Sequence, residues 1–190
     1  MTFPTHRATA TDATQHRILD AATEVFAVRG FSVATIADIV AGSGASLASI
    51  YRHFGGMREL FLAVFDRVAT DIGGHIDESA ATGADDRSAF EAAARAYLNA
   101  LWRHRRVAGV FASVDVPPGF AVVRESRLRH ALQRWAPASA LDPSPRGQLV
   151  IRMLGAIMAE ASSLVILCDD RSDVALITDA TVEAIDRVTR

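Results

Sequence analysis

Ser46, Ser49, Tyr51, Arg52 and His53 crowd into one short stretch of a 190-residue chain, with Thr35 upstream and Arg58 downstream. Their hydroxyl, phenol, imidazole and guanidinium groups can meet both the edges of nucleic-acid bases and phosphate oxygens. Ser46, Ser49, Tyr51 and Arg52 are the candidates for base edges, with Leu47 among them. Thr35, His53 and Arg58 are the candidates for backbone phosphates. For Arg52, a guanine edge and a phosphate both remain open. Other chemistries find little support. The histidines are scattered without a His-Glu-x-x-His spacing, and Cys168 is the sole thiol, so neither an intramolecular disulfide nor a cysteine zinc cluster is expected. No Ser-His-Asp signature or phosphate-cradling glycine loop is present. Neither catalysis, a metal nor a cofactor is expected.

Two short helices must hold these residues. Thr35 and Asp38 have the spacing of a capping box, in which a hydroxyl and a carboxylate satisfy free amides of the first turn. Ile36, Ile39 and Val40 then recur at helical intervals. Residues 42–44, Gly-Ser-Gly, break the pattern, and Ser46 is placed to cap a second helix. In that helix Ile50 and Phe54 lie four apart and face inward, leaving Ser49, Arg52 and His53 to point elsewhere. A tight helix-turn-helix of this kind can present its second helix to a DNA major groove.

The stretch resembles the DNA-binding domain of the tetracycline-repressor (TetR) family of bacterial transcription regulators. The family pattern falls on Ile39, Gly44, Ser46, Ile50, Tyr51, His53 and Phe54. Upstream, RILDAATEVFAVRGF at 17–31 is similar to the family's first helix. Downstream, MRELFLAVFDRV at 57–68 is similar to the start of its fourth. Leu47 and Met57 stand where the family often has lysine. The resemblance implies an all-α fold, with an N-terminal three-helix helix-turn-helix domain and a C-terminal helical ligand-binding and dimerisation domain. It further implies a palindromic double-stranded DNA operator, repression relieved by a small-molecule effector, and a homodimer built through the last two helices.

Composition fits that outline without announcing it. Hydrophobic residues make up 50% of the chain, enough for a substantial core, and the formal net charge is −2. Every one of the 20 basic residues is arginine. Up to residue 54, Arg7, Arg17, Arg29 and Arg52 balance Asp12, Asp20, Glu24 and Asp38, so the head offers little non-specific attraction to phosphates. A dimeric helical ligand- or protein-binding module with weak or lost DNA binding is therefore the alternative reading. No apolar run is read as long enough to span a membrane, and no hydrophobic signal core opens the chain, so a cytoplasmic protein is expected.

Domain boundaries are expected at 1–13 for a mobile arm, 14–56 for the DNA-binding head and 57–190 for the regulatory part. A fourth helix starts after residue 56, with Gly73 and Gly74 placed to bend or end it. Ser88 and Glu91 are read as a capping box for the next helix. Arginines 103, 105 and 106 are read as complementing that helix's C-terminal dipole. In the regulatory part the large side chains Tyr97, Leu101, Trp102, Phe111, Phe120, Trp135, Met153 and Met158 are the candidates to line a cavity for an apolar or aromatic effector. Residues 146–168 are apolar nearly all round, which requires cover on both sides.

Overall fold

A computed structural model describes residues 5–83, 85–136 and 142–189, with side chains from residue 12. The described residues form helices and no strand, so the fold is all-α. In order these are α1 (Thr5–Arg29), α2 (Ile36–Ser43), α3 (Leu47–Phe54), α4 (Met57–Ala80), α5 (Asp86–Arg103), α6 (Arg105–Ala112), α7 (Phe120–Trp135), α8 (Pro145–Leu167) and α9 (Arg171–Thr189).

Several boundaries differ from the sequence reading. Residues 5–13 extend α1 instead of forming an arm; alanines at 8, 10 and 13 favour helix, with no glycine or proline to stop it. Helix α4 continues past Gly73 and Gly74 to Ala80, so the two glycines do not end it. The capping box of α5 is Asp85 with Ser88, three residues before the pair expected, because the Asp85 carboxylate reaches the Ser88 amide at 2.7 Å. Helix α5 ends at Arg103, so Arg105 and Arg106 open α6, yet the Arg105 guanidinium still donates to the Trp102 carbonyl in the last turn of α5 at 3.3 Å. The same guanidinium sits over the Trp102 ring, 4.6 Å from its centroid.

The chain divides into two compact units. One is the head, which runs to Val68 and also includes residues 109–118; the other comprises 69–108 and the chain from 119 onward. The expected boundary at 56/57 is thus displaced, and aromatic packing explains why. Phe61 lies edge-on to Phe26, Phe31 and Phe111, with centroids 5.1, 5.2 and 5.3 Å away, and Phe65 meets Phe111 at 5.2 Å. The start of α4 and the end of α6 are therefore walls of the head's core, alongside the fully buried Ile18, Ile39 and Ile50.

Helices α5, α8 and α9 pack mutually in the second unit, and α7 packs on α5 and α8. Leu98, Leu154, Val165 and Ile185 are buried at their centre. Arg95 with Asp179, and Arg87 with Asp186, tie α5 to α9 by ion pairs. The Trp102 indole donates to the Cys168 carbonyl at 3.1 Å, fixing the end of α8 against α5. The opposite side of α8 and α9 is bare: Leu149, Met153, Leu164, Leu167 and Leu176 are all exposed. By length and composition alone helix α8 is also long and apolar enough to cross a membrane, where no such run was expected.

Candidate nucleic-acid interface and effector cleft

The turn between α2 and α3 is built as its sequence indicated. Thr35 caps α2: its hydroxyl oxygen accepts from the Asp38 amide at 3.2 Å while the Asp38 carboxylate accepts from the Thr35 amide at 3.0 Å. The Thr35 hydroxyl, which donates to the Asp38 carboxylate at 2.7 Å, and then the Thr35 amide, with Arg29 nearby at 3.5 Å, hold the Asp38 carboxyl below its ordinary pKa. Gly44 closes α2 in the left-handed region at φ 65°, where its amide donates to the Val40 carbonyl. Ser46 then caps α3, accepting from the Ser49 amide at 3.1 Å.

Helix α3 has two faces. Ile50 and Phe54 are buried, and Ser49 is buried with them at 6% exposure. This corrects the placement of Ser49 at base edges: it lies one turn behind His53 and beside Ile50, on the inward side of a 3.6-residue repeat. Leu47 (54% exposed), Tyr51 (50% exposed) and Arg52 occupy the outward side. His53 is half-buried, its ring tilted against Phe54 at 6.2 Å. The outward face thus carries Leu47, Tyr51 and Arg52, with the Ser46 cap at its start.

Most of the head's described arginine charges are already paired. Arg29 pairs with Asp38, Arg58 with Glu59 at 3.4 Å, and Arg67 with Asp20 at 2.7 Å. Arg52 has no ion-pair or hydrogen-bond partner among the described residues, and it stands on the exposed side of α3. A head that carries no net positive charge therefore coexists with an uncommitted guanidinium at the place where a groove contact would form.

Asp115, which sequence reasoning missed, closes the other end of the head. Its carboxylate accepts from the Phe31 amide at 2.9 Å, from the Ser32 amide at 3.0 Å and from the Ser32 hydroxyl. The Ser32 hydroxyl and amide, then the Phe31 amide, hold the Asp115 carboxyl below its ordinary value. Gly30 sits directly under it in the left-handed region at φ 75°, and a Cβ there would fall 2.4 Å from the Asp115 carboxylate. No local pattern marks Asp115, because its partners lie more than eighty positions away.

In the second unit a small apolar cleft of about 40 Å³ lies between α5, α7 and α8. Tyr97, Trp135 and Met158 line it, together with Ile76, Phe90, Leu128 and Leu132, which the sequence reading did not select. The other candidates lie elsewhere. Phe111 belongs to the aromatic core of the head, while Leu101 and Phe120 are buried away from the cleft. Trp102 is held by Cys168, and Met153 is on the exposed side of α8. Size and apolarity identify large side chains, but only the helix packing decides which of them face a common space.

The cleft's polar atoms are already engaged. The Tyr97 and Ser162 hydroxyls share a hydrogen bond at 3.2 Å, and burial, opposed by that bond, pushes the Tyr97 phenol above its ordinary pKa. The Trp135 indole donates to Asp77 at 3.1 Å, and Arg134 pairs with the same carboxylate at 3.1 Å.

Comparison with known proteins places this geometry. Residues 18–64 match the family model for bacterial regulatory proteins, tetR family. The HTH-type transcriptional activator FasR of Mycolicibacterium smegmatis is 32% identical over 88 residues, 46% of this chain and 40% of its own length. The HTH-type transcriptional regulator SrpR of Pseudomonas putida is 43% identical over 60 residues, 30% of this chain and 28% of its own length. The chain thus spans well under half the length of the curated relatives it matches. A solved transcriptional regulator of Aquifex aeolicus VF5 superposes with a TM-score of 0.72 at 17% identity, covering 92% of this chain and 99% of its own. A TetR-like regulator from Rhodococcus sp. RHA1 gives 0.69 at 21% identity, over 92% and 94% of the two chains. These two likenesses establish the fold alone. With the matched head, the capped turn and the helical architecture in agreement, residues 18–64 form a helix-turn-helix head of the kind found in bacterial regulatory proteins of the tetR family.

Proposed function

We propose that this chain is a sequence-specific DNA-binding transcription regulator, acting as a homodimer that an effector releases from a palindromic operator. The observation that carries the reading is the outward face of α3, where the uncommitted Arg52 stands beside Tyr51 and Leu47 over a buried Ile50 and Phe54. A helix anchored on one side and open on the other is what major-groove insertion needs. Dimerisation is supported by the exposed leucines of α8 and α9, which would pair with the same helices of a second copy and give those apolar faces cover. The same use accounts for the apolarity of α8 without a membrane, in keeping with a cytoplasmic regulator. The cleft of the second unit is the proposed effector site; an effector acts by binding the DNA-incompetent dimer more tightly than the competent one. Repression by occupancy is the mode proposed, although the relative FasR is named an activator.

Fluorescence anisotropy with the DNA flanking its own gene tests this. Specific, salt-sensitive binding is expected, with affinity falling linearly on a log–log salt plot. Equal, weak binding to every fragment sinks the DNA reading and leaves a helical ligand- or protein-binding module.

A further inference from the structure

Leu128 and Leu132 line two spaces at once. On one side is the apolar cleft; on the other is a shallow groove between α7 and α8, bordered by Arg129, Gln133, Arg152 and Gly155. The two leucines are one helical turn apart on α7, so this partition is made of side chains, which can part by changing rotamer. At Gly155 a Cβ would lie 3.4 Å from the Leu132 side chain, so the missing side chain leaves α8 close against that partition.

The distribution of polar groups separates the two spaces. Inside the cleft the Tyr97 hydroxyl is occupied by Ser162 and the Trp135 indole by Asp77, so the cleft alone suits only a hydrocarbon. A water-soluble ligand must carry a polar part, and desolvating that part without partners is unfavourable. The groove supplies the partner. Arg129 is neutralised by Glu125 at 2.6 Å, while Arg152 has no partner among the described residues. A free guanidinium prefers a planar carboxylate.

We infer that the cleft, about 40 Å³ until Leu128 and Leu132 part, and the groove are two subsites for one amphipathic anion, an aliphatic carboxylate whose chain enters the opened cleft and whose head group meets Arg152. This rests on the cleft being the effector site, and it goes further by naming the ligand's chemical class and the residue that selects it.

The test uses the full chain carrying Trp102→Phe, so that Trp135 in the cleft wall reports alone. Decanoate, decanol, acetate and the neutral dye N-phenyl-1-naphthylamine are titrated, following Trp135 emission and heat of binding. Decanoate is expected to saturate, decanol to bind about tenfold more weakly, and acetate not to bind, since a charge-assisted contact and an apolar tail are both required. Arg152→Gln is expected to bring decanoate down to the level of decanol and leave decanol unchanged. Equal binding of decanoate and decanol, or indifference of decanoate to Arg152→Gln, overturns the inference. If the neutral dye enters while decanoate does not, the anion subsite falls and the cleft survives as a pocket. If neither binds, both fall. If decanoate binds as expected but leaves DNA affinity untouched, the subsite stands and the effector role of the cleft is lost.

Discussion

Arg52 and Ser46 contribute to the same face by different physics, and they should fail differently. Arg52→Ala removes a donor that the folded head does not use, so thermal stability should hold while operator affinity falls by roughly 1–3 kcal/mol. Ser46→Ala removes the cap of α3, lowering stability by roughly 0.5–2 kcal/mol and weakening DNA binding through a frayed helix start. Paired melting and anisotropy curves separate the two, and a destabilised Arg52→Ala protein would show that the guanidinium is structural. Asp115 belongs to a third class. Its carboxyl is depressed from an ordinary value of 3.8 by donors present only in the fold. Its stabilisation is therefore complete above that value and is lost as pH falls through the lowered folded value. Asp115→Asn should flatten that acid limb in a near-UV circular dichroism titration and lower the melting midpoint at neutral pH. An unchanged limb would remove Asp115 from the account.

At the scale of elements, the short-range patterns were the legible ones. Thr35 with Asp38, Gly44, Ser46, and Ile50 with Phe54 each act within one or two helical turns, so the types and spacing of neighbours suffice to place α2 and α3. The faces of α3 were harder, because Ser49 is polar yet turned inward by the phase of the helix. The cleft was legible only in part. Tyr97, Trp135 and Met158 come together through the packing of α5, α7 and α8, whereas Met153, similar in kind to Met158, lies on the outer side of the same helix. The outward side of α3 is also where the charge deficit can be repaired. Leu47→Lys should steepen the log–log salt dependence by about one unit per head and tighten binding at low salt. An unaltered slope would show that position 47 does not approach phosphate. For α8, Leu164→Asp places a charge on the proposed subunit contact and should convert dimers to monomers in sedimentation velocity, with helicity preserved.

For the whole molecule, the division into units does not follow chain order. The head takes residues 109–118 from far downstream and packs Phe111 against Phe61 and Phe65. No sequence periodicity announces such an arrangement, since it depends on which distant segments meet. Phe61→Ala, at the centre of that cluster, should lower unfolding free energy by roughly 3–5 kcal/mol, measured by urea denaturation.

The practical consequence concerns anyone who would shorten the protein to its DNA-reading part. A piece ending at residue 68 would leave phenylalanine rings facing water where Phe111 should sit, and would strip the Phe31 and Ser32 amides of their acceptor. Such a piece should precipitate or bind hydrophobic dyes, and tethering residues 109–118 back onto it should restore a soluble, cooperatively melting domain.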